Sequence, residues 1–211
     1  MIKFSGNCLV LIILSVLVFA SCNEVNTELY PNGTKKSELS YRGKKLNGKC
    51  LWWYQNGIHQ MEATYKDDKL DGLCTRWFGN GLIASKESYI NGLKQGVSRC
   101  WNEDGSALTE VEYTNDTLNG FYKEYHPNGV LKISGNYSTG VYNGDWKYYS
   151  NKGLLVGEGK FIKGTGFQKG YYENGKLKRE VLYQDGKKNG KETLYNPDGS
   201  IAKIITNGFG H

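Results

Sequence analysis

A glycine returns every 24 residues through most of this chain, and a second glycine follows each one nine positions later. The first series is Gly48, Gly72, Gly96, Gly120, Gly144, Gly166 and Gly190; the second is Gly57, Gly81, Gly105, Gly129, Gly153, Gly175 and Gly199. An aromatic stands five residues after each first-series glycine, at Trp53, Trp77, Trp101, Tyr125, Tyr149, Tyr171 and Tyr195. Another stands 17 after it, at Tyr65, Tyr89, Tyr113, Tyr137, Phe161 and Tyr183. A fixed period of this length marks a repeat architecture whose neighbouring units bury one another. With 28 glycines, 16 tyrosines and no helix punctuation, the units read as short strands joined by tight turns. The fold class that follows is all-β: an elongated, twisted antiparallel meander of β-hairpin repeats. At two strands per repeat it holds about sixteen strands, roughly 75 Å of sheet at the usual interstrand spacing.

Residues 119–142 show how one unit is built. The stretch up to Tyr125 reads as a strand, His126-Pro127-Asn128-Gly129 as a turn, and Val130 to Tyr137 as the returning strand. Pro-Asn-Gly suits a type I turn closed by a left-handed glycine, which makes the second glycine series the structural turn residues. The other turn of each unit is placed at Asn119-Gly120 and its equivalents Asn47-Gly48, Asp71-Gly72, Asn143-Gly144 and Asn189-Gly190. On the returning strand, positions 11, 15 and 17 after the first glycine are bulky, while position 14 is mostly charged (Glu62, Lys86, Glu110, Glu158, Glu180). The two-residue period of a strand therefore predicts one apolar face and one face of cross-strand ion pairs. Between Gly144 and Gly166 the interval is 22 residues, and the missing pair is assigned to the connecting turn, which preserves the faces. The half repeat at Tyr30-Pro31-Asn32-Gly33 and the stop near Asn207 read as end caps.

The first residues lie outside the pattern. Lys3 precedes an apolar run from Leu9 to Ala20, too short for the roughly 20 helical residues that cross a bilayer. Residues 1–21 therefore read as an export signal, 22–28 as a short linker and 29–207 as the repeat array. Val18-Phe19-Ala20-Ser21-Cys22 resembles the lipobox of bacterial lipoproteins, which implies acylation of Cys22 and anchoring to a membrane of the cell envelope, the outer membrane above all. An ordinary cleaved signal peptide is the alternative. Mean hydropathy is −0.58, against an integral membrane protein and against one thick core. The net charge of +6 is spread through the chain, with no clustered basic patch, so nucleic acid is not expected as a partner. Cys50, Cys74 and Cys100 fall in neighbouring hairpins, with equivalent positions about 9.6 Å apart. A disulfide needs Cα atoms roughly 4.4–6.8 Å apart, so these read as free thiols. No histidine shares their phase, so no metal is assigned.

Tyr171-Tyr172-Glu173-Asn174-Gly175-Lys176-Leu177-Lys178, followed by Tyr183-Gln184-Asp185-Gly186-Lys187-Lys188-Asn189-Gly190, resembles the variant MORN repeat. The resemblance covers about residues 29–206. It implies a hairpin-repeat scaffold that binds protein partners or contacts phospholipids, and it carries no catalytic residues. Similar bacterial chains form an antitoxin-like group containing many lipoproteins.

Three classes of function follow. The leading expectation is a membrane-anchored, non-catalytic scaffold that binds a protein or envelope partner through its aromatics, with Trp52, Trp77 and Trp101 as candidate binding residues. The same position-five aromatics also serve as packing units; Trp52, of opposite parity to Trp53, is the surface candidate. The second class is an antitoxin or immunity protein that sequesters a toxin. The third is an enzyme, disfavoured because His59, His126 and His211 stand at unrelated phases and neither a phosphate loop nor a nucleophile motif is present. No cofactor is implied.

Overall fold

The computed structural model describes residues 24–208, all strands and turns among them. The residues read as an export signal, and Cys22, lie outside the described residues. The chain runs β1 (Glu24–Leu29), β2 (Lys35–Arg42), β3 (Lys45–Leu46), β4 (Gly48–Trp53), β5 (His59–Lys66), β6 (Lys69–Trp77), β7 (Ile83–Ile90), β8 (Leu93–Lys94) and β9 (Gly96–Trp101). It continues through β10 (Ala107–Thr114), β11 (Thr117–Tyr125), β12 (Leu131–Ser138), β13 (Val141–Tyr149), β14 (Leu155–Ile162), β15 (Thr165–Tyr171), β16 (Leu177–Gln184), β17 (Lys187–Tyr195) and β18 (Ile201–Asn207). Each strand pairs antiparallel with its sequence neighbour, as an open meander. β3 with β4, and β8 with β9, are single crossings interrupted at Asn47 and Gln95, both halves pairing with the same neighbour. The 18 segments thus make sixteen crossings, the number the period predicts. The array begins earlier than the sequence reading has it, because the strand Glu24–Leu29 starts within the stretch 22–28 read as linker.

One set of turns forms as expected. At His126-Pro127-Asn128-Gly129 the Gly129 amide donates to the His126 carbonyl at 2.8 Å, and the His126 amide donates to Val130. All seven second-series glycines have φ between 79° and 96°, the left-handed region where a Cβ is strained. The turns are also stitched to the next unit: Tyr54 Oη donates to the Trp77 carbonyl and Tyr172 Oη to Tyr195, while Asn128 Nδ2 donates to Asn151.

The other set does not lie at the Asn-Gly pairs. It lies four residues earlier, at two-residue turns such as Asn91-Gly92, Asn115-Asp116 and Asp185-Gly186, where both central residues have positive φ. This type I′ geometry matches strand twist. The Asn-Gly pairs form bulges inside the outgoing strand. Val111 faces Tyr122 and Tyr113 faces Leu118, so residues 119–121 stand against Glu112 alone. Gly120 takes φ +122° there, and a Cβ on it would lie 2.1 Å from the Glu112 carboxylate. The asparagine side chains brace the turn of the next unit, with Asn119 Oδ1 accepting from the Thr139 amide and Asn143 Oδ1 from the Lys163 amide.

The short repeat is explained by the same feature. Its turn, Lys163-Gly164, keeps two residues, and β14 pairs with β15 without a register shift from Gly157↔Gly170 to Ile162↔Thr165. The two missing residues are therefore the bulge, not part of the turn. Side-chain direction survives because the loss is even.

The 17-residue offset is a cross-strand contact. Gly48 faces Tyr65, Gly72 faces Tyr89, Gly120 faces Tyr137 and Gly144 faces Phe161. Beside this row runs the core, which is a single line of residues crossing the sheet. Its pairs are Cys50↔Ala63↔Cys74↔Glu87 at one end and Trp146↔Gly159↔Gln168↔Val181↔Glu192 at the other. Most of the buried side chains belong to this row or to the aromatic row beside it. The opposite face carries the predicted charge ladder, with Lys49–Glu62 at 2.7 Å and Arg99–Glu110 at 3.8 Å. Neither end is capped among the described residues: all of β1 is exposed, and Val25, Leu29, Ile201 and Ile204 stand in solvent.

Candidate binding surface

The core row gives the inner face, and Trp52 is on it. Two residues beyond Cys50 on β4, Trp52 packs against the buried cluster of Ala63, Cys74 and Tyr89 and meets Tyr65 edge-on at 6.2 Å. The expectation that opposite parity to Trp53 turns Trp52 away from the packed face is therefore corrected. The bulge between Trp52 and Trp53 instead sets Trp53 against His59, whose ring lies between Trp53 at 5.3 Å and Trp77 at 5.6 Å.

Trp52 and Trp77 nevertheless share one feature. Together with Tyr54, Met61, Arg76 and Phe78 they line an open groove of ≈ 380 Å³, with Gln60 and Ala84 completing its wall. Tyr54 is fixed by its hydrogen bond to the Trp77 carbonyl, and Trp77 is braced by His59. Large rings with a polar edge, held in place beforehand, offer contact area with little loss of side-chain freedom on binding. Trp101 does not line this groove; it faces Ala107 across the next hairpin.

Arg76 supplies the charge in the groove wall and is tied to residues that sequence reasoning missed. Its Nη1 donates to Glu87 Oε2 at 2.5 Å, Lys94 Nζ donates to Glu87 Oε1 at 2.6 Å, and Tyr89 Oη donates to Oε2 at 3.1 Å. Glu87 is only 7% exposed. Burial pushes its carboxyl up, but the Lys94 hydrogen bond and charge, together with Arg76, outweigh burial and hold it below the ordinary carboxylate range. A second cluster repeats the design near the far end. Glu192 accepts from Arg179 and Lys188, and it too is lowered against the effect of burial. A signal for both existed in the repeat frame. Glu87 occupies the column that holds Ala63, Val111, Gly135, Gly159 and Val181 in other units, and Glu192 the column that holds Cys50, Cys74 and Trp146.

The cysteines form no bridge. Cys50 and Cys74 are buried and free, and Cys100 is half-buried and free. Burial pushes the Cys50 and Cys74 thiols up, so both stay protonated near neutral pH and act as small packing groups. Among the described residues no group of three His, Cys, Asp or Glu side chains is placed to hold a metal ion.

An open hairpin array with a groove on its surface defines a repeat scaffold. Residues 46–67, 118–138 and 165–185 match the MORN repeat variant, which supports reading the array as MORN-type repeats. Each matched segment runs through an outgoing strand, and the segments at 46–67 and 165–185 close at the type I′ turn. No curated protein matches the chain.

Proposed function

We propose that the protein is a non-catalytic scaffold, lipid-anchored through Cys22 to the cell envelope, that holds a protein or envelope partner in the groove of its first repeats. The observation that carries this reading is the convergence of Trp52, Tyr54, Trp77 and Phe78 with Arg76 on one open surface. The anchor fits the same end of the molecule. β1 begins two residues after Cys22, so acylation there tethers the array beside its groove-bearing repeats.

Gln60 is the residue for the test, because it lines the groove, is exposed and lies outside the buried cluster. Gln60→Arg should leave the melting temperature unchanged and abolish capture of the partner that wild-type protein draws from its native envelope. Unchanged capture would move the binding surface elsewhere. Cys22→Ser should release the protein from membranes; retention with acyl labelling intact would refute the anchor. A captured toxin would give the scaffold an immunity role.

A further inference from the structure

We propose that the two open edges of the sheet are complementary, and that copies of this chain join head to tail with β18 of one copy along β1 of the next. Among the described residues, every returning strand except β18 carries an outgoing strand on its far side, and every outgoing strand except β1 has a returning strand before it. Those internal pairs share one register. The residue 13 after the first-series glycine faces the residue four after the next such glycine, as in Met61↔Arg76, Thr109↔Glu124, Ile133↔Tyr148 and Arg179↔Leu194. The last repeat starts at Gly190, which makes Lys203 its thirteenth residue. Gly33 is the turn glycine of the first repeat, which places that repeat's origin at Glu24 and makes Glu28 its fourth residue.

Extending the internal register across two copies therefore sets Lys203 opposite Glu28, an oppositely charged cross-strand pair. It also sets Ile204 opposite Thr27, the relation that Glu62 has to Thr75 and Glu180 to Thr193 inside the chain. The alternative of β1 on β1 is opposed by charge, since antiparallel pairing about Asn26 brings Glu24 against Glu28. Both edges expose unpaired backbone and apolar side chains: Val25 and Leu29 are each 58% exposed, and Ile204 is 49% exposed. A contact between two different patches of one chain propagates into a ring or an open filament.

The test uses the full chain in detergent and a short bifunctional thiol crosslinker, with wild type as the control for the native cysteines. Thr27→Cys and Ile204→Cys, both on exposed edge strands, are made in separate chains. Mixing them should give a covalent dimer that neither gives alone, and the double variant should give a ladder of larger products. Adding Glu28→Lys to the Thr27→Cys chain should cut the dimer roughly tenfold, and Lys203→Glu in its partner should restore it. Absence of the mixed dimer, equal yield from Thr27→Cys alone, or indifference to Glu28→Lys would each overturn the proposal.

Discussion

In the first repeats the core row reads Cys50, Ala63, Cys74, three small side chains in succession; in the middle of the chain it reads Gly135, Trp146, Gly159, one large ring between two residues with none. Both solutions fill the same narrow line. The middle one does it by shape: a Cβ on Gly135 would fall 2.1 Å from Trp146 Cδ2, so the glycine is the seat of the ring. Around Trp146, which is 2% exposed, Tyr122, Tyr137, Tyr142 and Tyr148 stand with ring centroids between 4.7 and 6.5 Å away. Burial pushes the Tyr122 and Tyr148 phenols up to about 12, so both stay neutral. The first repeats pack less bulk and finish the row with Glu87, compensated by Arg76 and Lys94. One region is thus held by apolar ring packing and the other partly by buried charge, and the groove is in the second.

Replacing the two row centres should break this comparison most sharply. Trp146→Ala is expected to cost about 3–5 kcal/mol in denaturant unfolding, the range for a buried aromatic. Cys74→Ala, in the equivalent row, should cost about 1 kcal/mol, since little volume is lost. Gly135→Ala should destabilise by about 1–3 kcal/mol through overpacking against Trp146. A neutral outcome would mean that the ring has another place to go.

Acid separates the regions by charge. Because the Glu87 carboxyl is lowered in the fold, its stabilisation is present above the ordinary carboxylate pKa of about 4.3 and is lost as pH falls through the folded value. Glu87→Gln should therefore make stability less dependent on pH below about pH 4, while Glu192 keeps part of the dependence. Acid titration followed by tryptophan fluorescence reads this directly.

Smaller effects mark the surface. Thr139 is β-branched at φ +49° in a type I′ turn, so Thr139→Gly should stabilise by roughly 0.5–1 kcal/mol. Glu110→Gln, in the charge ladder with Arg99 at 3.8 Å, should change stability by less than about 0.5 kcal/mol.

The period made the strand count, the Pro-Asn-Gly turns and the charged face legible, because each depends on local chemistry repeated in register. The Asn-Gly pairs misled because a glycine at positive φ serves a bulge as well as a turn. What distinguished them, the preceding Asn115-Asp116 or Asn91-Gly92, was in the sequence but varies from unit to unit. Trp52 misled for a related reason. Parity separates it from Trp53, but the inner face was assigned from position five, where a bulge breaks the alternation. The groove requires side chains from four strands and two turns, and no single-repeat reading assembles it.

The central claim is that the core row is filled unequally and that stability follows the filling. Amide hydrogen exchange on the dilute protein, resolved strand by strand, tests it. Protection should peak in β12, β13 and β14 around Trp146, fall through β4 to β7, and be least in β1 and β18. Equal protection in the first repeats and the middle, or a maximum at the tryptophan-rich end, would contradict it.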